Sequence, residues 1–194
     1  MQGDVVCTLP PSKTDRLWRP PRAAAFVPAA LRTRKGRTLE VREYGLGCFG
    51  ALVEMYDGFQ PKRVAQGLPP PDVPRIVDWL HKLQQKSRSL LAMDRNQIVA
   101  HAILCPISGA AVEYVIFVHQ DYRREKLGTA LTRLAIAFAG EMGFREVFVT
   151  TELSNFGALR LLRNVGFHVT SSSGGEYEMK LSVASVRGTQ PEAA

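Results

Sequence analysis

The chain has 194 residues, with 25 Lys or Arg against 18 Asp or Glu and 45% apolar side chains, enough for one well-buried core and short of two. Its ordinary charged fraction and its supply of aliphatic and aromatic residues exclude wholesale disorder, a collagenous repeat and a disulfide-dense miniature. No run approaches the ~18 uncharged apolar residues that span a bilayer, and Cys7, Cys48 and Cys105 show neither CxxC pairing nor metal-ligand spacing, so neither a membrane nor a metal site is expected.

Residues 1–37 carry eight Lys or Arg against Asp4 and Asp15, which is +6 of the total +7. This stretch reads as a basic, Pro-punctuated extension in which Trp18 is a candidate anchor. Its arginines could touch phosphates, but a solvated extension is the expected role, and no nucleic-acid partner is expected. The only apolar patch, Ala23 to Leu31, is short and broken by Pro28, unlike a secretory signal, and a cytoplasmic location is expected.

The body then alternates. Thr38 to Tyr44 interleaves Leu39 and Val41 with Glu40 and Arg42, a strand pattern. Phe49, Leu52, Val53 and Tyr56 recur at helical spacing and Gly58 follows as a stop. Pro61 and Pro69 to Pro71 enforce a loop, and Asp72 is placed to cap a second helix running to Gln85. Ser89–Met93 and Ile98–Leu104 flank a polar tetrapeptide as a hairpin. Ala111 to Val118 is a β-branched, apolar run suited to a central strand, interrupted by Glu113. Leu131, Leu134, Ala135, Phe138 and Met142 set a long helix from Thr129 that ends at Gly143. A strand at Val147–Thr150, a helix at Asn155–Asn164 and closing strands at Phe167–Thr170 and Tyr177–Val183 complete a mixed α/β domain.

The informative piece is residues 115–131, VIFVHQDYRREKLGTAL: a buried strand, a short polar loop and the start of a helix. Free amides at a helix N-terminus favour an anion, and Arg123, Arg124 and Lys126 bring formal charge to the same place. Gly128 lets the backbone come close to a neighbour. The segment matches neither GxxxxGK[ST] nor GxGxxG, so nucleoside triphosphates and dinucleotides are not indicated. A basic, glycine-capped turn is the plainer alternative.

With Arg123-Arg124-Glu125-Lys126-Leu127-Gly128 after Phe117-Val118, and with Asn155, Ala158 and Gly166-Phe167 further on, the sequence resembles the GNAT acyltransferase superfamily over roughly residues 38–183. The family loop is Arg or Gln, two residues, Gly, one residue, then Gly or Ala. The resemblance implies a twisted, mostly antiparallel sheet of about seven strands flanked by about four helices, with splayed central strands that admit acetyl-CoA or another acyl-CoA as co-substrate. It divides the chain into the 1–37 extension, an acyltransferase domain over 38–186 and a 187–194 tail. It implies that the main chain of Phe117 and Val118 pairs with the pantetheine and that the loop from Arg123 through Arg124, Lys126, Leu127, Gly128, Thr129 and Ala130 holds the diphosphate. Asn155 then binds the pantetheine arm or the capped end of the cleft, and Ala158 keeps that helix close. The implied reaction is direct acetyl transfer to a primary amine of a small molecule or protein. Glu113 is the candidate base, with a structural ion pair as the alternative; His101 and His119 are reserves. Two departures stand out: Lys126 replaces the usual Gly, and Leu162 stands where many members carry a Tyr that protonates the thiolate, leaving Tyr122, Tyr177, His168 or water as substitutes. A CoA-binding sensor without turnover is the rival reading, and homodimerisation is left open. The acceptor site is expected around Tyr56, Phe59, Gln66 to Pro69 and the last hairpin.

Overall fold

A computed structural model describes residues 27–63 and 65–183. The first 26 residues, including Trp18 and the first arginines, and the C-terminal tail lie outside the described residues. In chain order the elements are β1 (Ala29–Arg32), β2 (Thr38–Glu43), α1 (Phe49–Asp57), α2 (Val73–Gln84), β3 (Arg88–Asp94), β4 (Gln97–Pro106), β5 (Ala111–Val118), α3 (Leu127–Glu141), β6 (Glu146–Glu152), α4 (Phe156–Val165), β7 (His168–Ser173) and β8 (Glu176–Ser182).

One sheet takes all eight strands in the order β1-β2-β3-β4-β5-β6-β8-β7. The strand beyond the expected seven is β1, which falls inside the segment read as an extension. Residues 29–43 form a hairpin: Ala29 pairs with Val41 and Arg32 with Thr38. Ala-Ala-Leu-Arg is too short to show a period, so the pairing is fixed by β2, whose Leu39 and Val41 are buried. Local chemistry accounts for other boundaries. The Asp72 carboxylate accepts from Arg75 N–H at 3.0 Å to cap α2. Gly174 and Gly175, with φ of 58° and 83°, make the tight β7–β8 turn that side chains would strain.

The sheet separates two cores. Strand residues facing α3 and α4 include Leu39, Val112, Tyr114, Val147 and Met179. Those facing α1 and α2 include Leu91, Ile103, His101 and Phe117. The latter face is aromatic: the Tyr56 ring meets Trp79 at 4.9 Å and Phe117 at 5.5 Å, both edge-on.

Every strand pair is antiparallel except β5–β6. That parallel pair holds for Ala111↔Glu146, Val112↔Val147 and Glu113↔Phe148 only. Past Glu113, β5 stays with β4 as far as Val118, while β6 stays with β8 as far as Glu152. The sheet therefore opens into a wedge whose apex is Glu113.

Candidate active site

The wall of the wedge is the β6-facing edge of β5. In an antiparallel pair, alternate residues exchange both main-chain hydrogen bonds with the partner. His119 N–H donates to Val99 C=O at 2.9 Å, and Ile107 N–H to Ala111 C=O at 3.0 Å. With the intervening register, this alternation assigns the main chain of Phe117, Val115 and Glu113 to β4. The main chain of Tyr114, Ile116 and Val118 turns toward the wedge. Of the two residues expected to offer backbone groups, Val118 is on the open edge and Phe117 is not. Phe117 contributes its ring to the α1/α2 core, where it is 2% exposed. Val118 C=O is already taken by Arg123 Nε at 2.9 Å, so Val118 offers its N–H.

At the wide end of the wedge the chain passes through a 3₁₀ turn, Gln120–Tyr122, into α3. The first-turn amides of Leu127, Gly128 and Thr129 have no acceptor within the helix; Ala130 N–H is the first to bond back, to Lys126 C=O at 3.1 Å. These free amides and the positive end of the helix dipole make this turn, the cradle below, electrostatically favourable to an anion. Arg124 and Lys126, both exposed, adopt the left-handed conformation with φ of 60° and 63°. Lys126 thus takes up the geometry that the family's glycine would supply. Leu127 is buried and can present only its main chain. A Cβ on Gly128 would lie 2.8 Å from Leu161 Cδ1, so this glycine lets α3 approach α4. Arg123 is turned away from the cradle: besides Val118 C=O, its guanidinium donates to Gln60 C=O at 2.6 Å and lies over the Phe59 ring at 5.0 Å.

Between the two exposed cations, Glu125 is buried under the β1–β2 turn. Lys35 Nζ lies 3.0 Å from its carboxylate, and Arg34 N–H donates to its carbonyl at 2.9 Å. Burial raises the Glu125 pKa, but Lys35, Thr33 and Arg37 outweigh it and hold the carboxyl below its ordinary range. The Arg37 guanidinium covers the Tyr122 ring at 4.5 Å. The hairpin is a clamp on the cradle that sequence reasoning missed, because only the Gly36 turn hints at it.

The α1–α2 loop crosses from one side of the wedge to the other. Gln60 N–H donates to Gln120 Oε1 and Gln120 Nε2 to Gly58 C=O, both at 2.9 Å; Gln66 Nε2 reaches Glu176 in β8 at 3.1 Å. At the apex, Glu113 faces an open groove of about 760 Å³ with Arg145, Glu146, Phe148, Thr150 and Glu178. Glu146 is paired with Lys180 at 2.7 Å. Asn155 caps α4, its Oδ1 accepting from Ala158 N–H at 3.1 Å; both residues are half-buried.

The reserve groups separate clearly. Leu162 is buried core. Tyr122 donates to Asp94 at 2.8 Å, and burial, then Asp94, raise its pKa. His119 caps the 3₁₀ turn through Asp121 N–H. His101 is 1% exposed, its Nδ1 is 2.8 Å from Tyr56 OH, and desolvation lowers its pKa to about 3. Tyr56 and Phe59 are core aromatics. Among the described residues no His/Cys/Asp/Glu group could hold a metal, and no helix is long and apolar enough to cross a membrane.

The parallel strand pair thus parts beside a helix N-terminus, leaving alternate main-chain groups of β5 without a β6 partner. The profile of the Acetyltransferase (GNAT) family matches residues 52–167, and the chain belongs to that family. In sequence it is similar to N-acetyltransferase family 8 member 3 of Rattus norvegicus, 30% identical over 86 residues, or 41% of this chain and 38% of that protein. The corresponding Mus musculus protein is 38% identical over 53 residues, 27% of this chain and 24% of the relative. The alignments thus span well under half of these relatives. In fold it is similar to the GNAT domain of S. lividans PAT, with TM-score 0.68, 17% identity and coverage of 79% and 96% of the two chains. It is also similar to spermidine N-acetyltransferase from Vibrio cholerae, solved with CoA and spermine, at TM-score 0.62, 12% identity and coverage of 77% and 98%.

Proposed function

We propose that the protein is an acetyl-CoA-dependent N-acetyltransferase acting on a primary amine. The observation that carries this reading is the wedge itself: five residues of β5, Tyr114 to Val118, turn alternate main-chain groups into a gap that ends at an anion cradle. The residues present fit acyl-CoA. Ile116 and Val118 pair with the pantetheine as an added strand would, and the free amides of Leu127, Gly128 and Thr129, with Arg124 and Lys126 above them, hold the diphosphate. Asn155 and Ala158 fix the end of α4 against the cleft. Arg123 acts from behind, tying β5 to the α1–α2 loop.

In the reaction the amine nitrogen bonds to the thioester carbonyl carbon, the C–S bond breaks and the amine loses a proton. Ile116 or Val118 N–H stabilises the carbonyl oxygen as charge develops on it. Glu113 is the base. It lies about 17 Å along the strand from Val118 and about 10 Å from Ile116, so it takes the proton through water. The leaving thiolate, from a thiol of pKa ~8.5, takes its proton from water, since Leu162 offers none. The carboxylates Glu113 and Glu178 in the groove favour a cationic acceptor.

The test is turnover of acetyl-CoA with a panel of small amines and lysine peptides, reading both thiol release and acylated product. Saturable CoA binding with no product from any acceptor favours the sensor reading, which the buried Leu162 supports. Absence of CoA binding in calorimetry overturns both.

A further inference from the structure

A carboxylate is a poor neighbour for a diphosphate, yet Glu125 stands between Arg124 and Lys126 in the loop that leads into α3. Its side chain is 0% exposed. A buried carboxylate is disfavoured by desolvation, and an ion pair offsets that loss only in part, so stability alone does not account for this one. The backbone around it is also unusual. Arg124 and Lys126 both hold positive φ, 60° and 63°, a conformation that residues with side chains keep only where their surroundings over-determine it.

The surroundings are the tip of the β1–β2 hairpin. Two adjacent hairpin residues meet Glu125: Arg34 N–H donates to its carbonyl at 2.9 Å, and Lys35 Nζ lies 3.0 Å from Oε1, as an ion pair rather than an aligned hydrogen bond. The tip is itself rigid. Thr33 N–H donates to Arg37 C=O at 2.8 Å, Gly36 N–H to Thr33 C=O at 2.9 Å and Arg37 N–H to Thr33 Oγ1 at 3.2 Å. Leu31 fastens the hairpin to the α3/α4 core. The loop is thus tied by main chain and side chain to an element that is anchored independently of it.

We propose that Glu125 is a positioning residue for the diphosphate: its carboxylate, held by Lys35, pins the loop to the hairpin so that Arg124, Lys126 and the first amides of α3 stand in their binding arrangement before CoA arrives. The inference rests on the acyl-CoA reading of the wedge. It adds residues 33–37, which precede the segment matched by the family profile, to the cofactor site, and its physical basis is preorganisation, which spares the ligand the entropy of ordering the loop.

The two roles open to Glu125 predict opposite signs. As a bare negative charge it would repel the diphosphate, and Glu125→Gln would tighten CoA binding, most of all at low salt. As a positioning residue, its neutralisation frees the loop, and Glu125→Gln should weaken CoA about tenfold in calorimetry, by a similar factor at low and high salt. Lys35→Met should also weaken CoA, and Lys35→Arg, which keeps the pair, should bind like the wild type. These two carry the comparison if Glu125→Gln does not fold. In the CoA-free proteins the Arg34 amide, read by NMR hydrogen exchange, should exchange about tenfold faster in Glu125→Gln than in the wild type. A purely structural ion pair would lower stability and leave the Kd for CoA untouched. Unchanged or tighter CoA binding in Glu125→Gln, wild-type binding in Lys35→Met, a Glu125→Gln deficit that vanishes in high salt, or unchanged Arg34 exchange would each overturn the proposal while wild-type binding keeps the acyl-CoA reading. A wild type that binds no CoA would overturn both.

Discussion

Two tyrosines are buried on opposite sides of the sheet, and their hydrogen bonds end differently. On the α3/α4 side, Tyr114 OH lies 2.9 Å from Thr132 Oγ1, which donates to Gly128 C=O at 2.7 Å. That chain begins on β5, ends on the backbone of the cradle and leaves no donor unused. On the α1/α2 side, Tyr56 OH meets His101 Nδ1 at 2.8 Å and the chain stops at an imidazole nitrogen with no partner. A closed network rigidifies what it joins, whereas an open one retains a polar group ready for something else. The closed one sits on the α3/α4 side of the wedge and the open one under α1 and α2.

The largest expected effect comes from the open side. Because the folded pKa of His101 is lowered to about 3 from 6.5, the unfolded chain binds the extra proton between these values. Stability is therefore intact above pH 6.5 and falls as pH drops, by on the order of 3 kcal/mol at pH 4. Denaturant titrations across pH should show this slope in the wild type and lose it in His101→Leu. A similar slope in the variant would assign the loss to other groups. On the sheet's open half, Glu113→Gln should lower kcat about 100-fold while CoA affinity in calorimetry stays unchanged. A wild-type rate and pH profile would remove Glu113 as the base.

The difference between the faces also marks where the sequence was legible. Backbone grammar could be read directly: Asp72 as a cap, Gly58 and Gly143 as stops, the run Ala111 to Val118 as a central strand, and the start of α3 just after the Arg123–Lys126 loop, because each depends on residues near in sequence. The family resemblance supplied the splay. What could not be read depends on partners far apart in the chain. The β1–β2 clamp needs Lys35 beside Glu125, 90 residues away. The orientation of Arg123 toward Gln60, and the assignment of Phe117 to β4 rather than the wedge, depend on register. His101 looked like a reserve base because nothing local reveals that Tyr56, 45 residues earlier, takes one nitrogen and that the ring is 1% exposed.

Smaller effects sharpen the contrast between the two tyrosines. Tyr56→Phe leaves His101 Nδ1 buried without a donor and should cost about 1–3 kcal/mol, whereas Tyr114→Phe leaves Thr132 still bonded to Gly128 and should cost about 1 kcal/mol or less. Equal costs by denaturant unfolding would mean that the two networks are energetically alike.

The smallest effect concerns the cradle to which the closed network leads. Lys126 holds a left-handed conformation that costs a residue with a side chain about 1 kcal/mol and costs glycine almost nothing. Lys126→Gly should raise stability by roughly 0.5–1 kcal/mol, as relief of that strain. It also removes a cation from beside the α3 N-terminus, so CoA should bind about two- to threefold more weakly, and the deficit should shrink in high salt. Lys126→Gln separates the two effects, since it discards the charge and keeps the strain. Its CoA affinity should match that of Lys126→Gly while its stability stays at the wild-type level. If both variants bound CoA like the wild type, Lys126 would serve the loop's shape alone, and the charge at the cradle would rest on Arg124 and the hairpin lysine behind it.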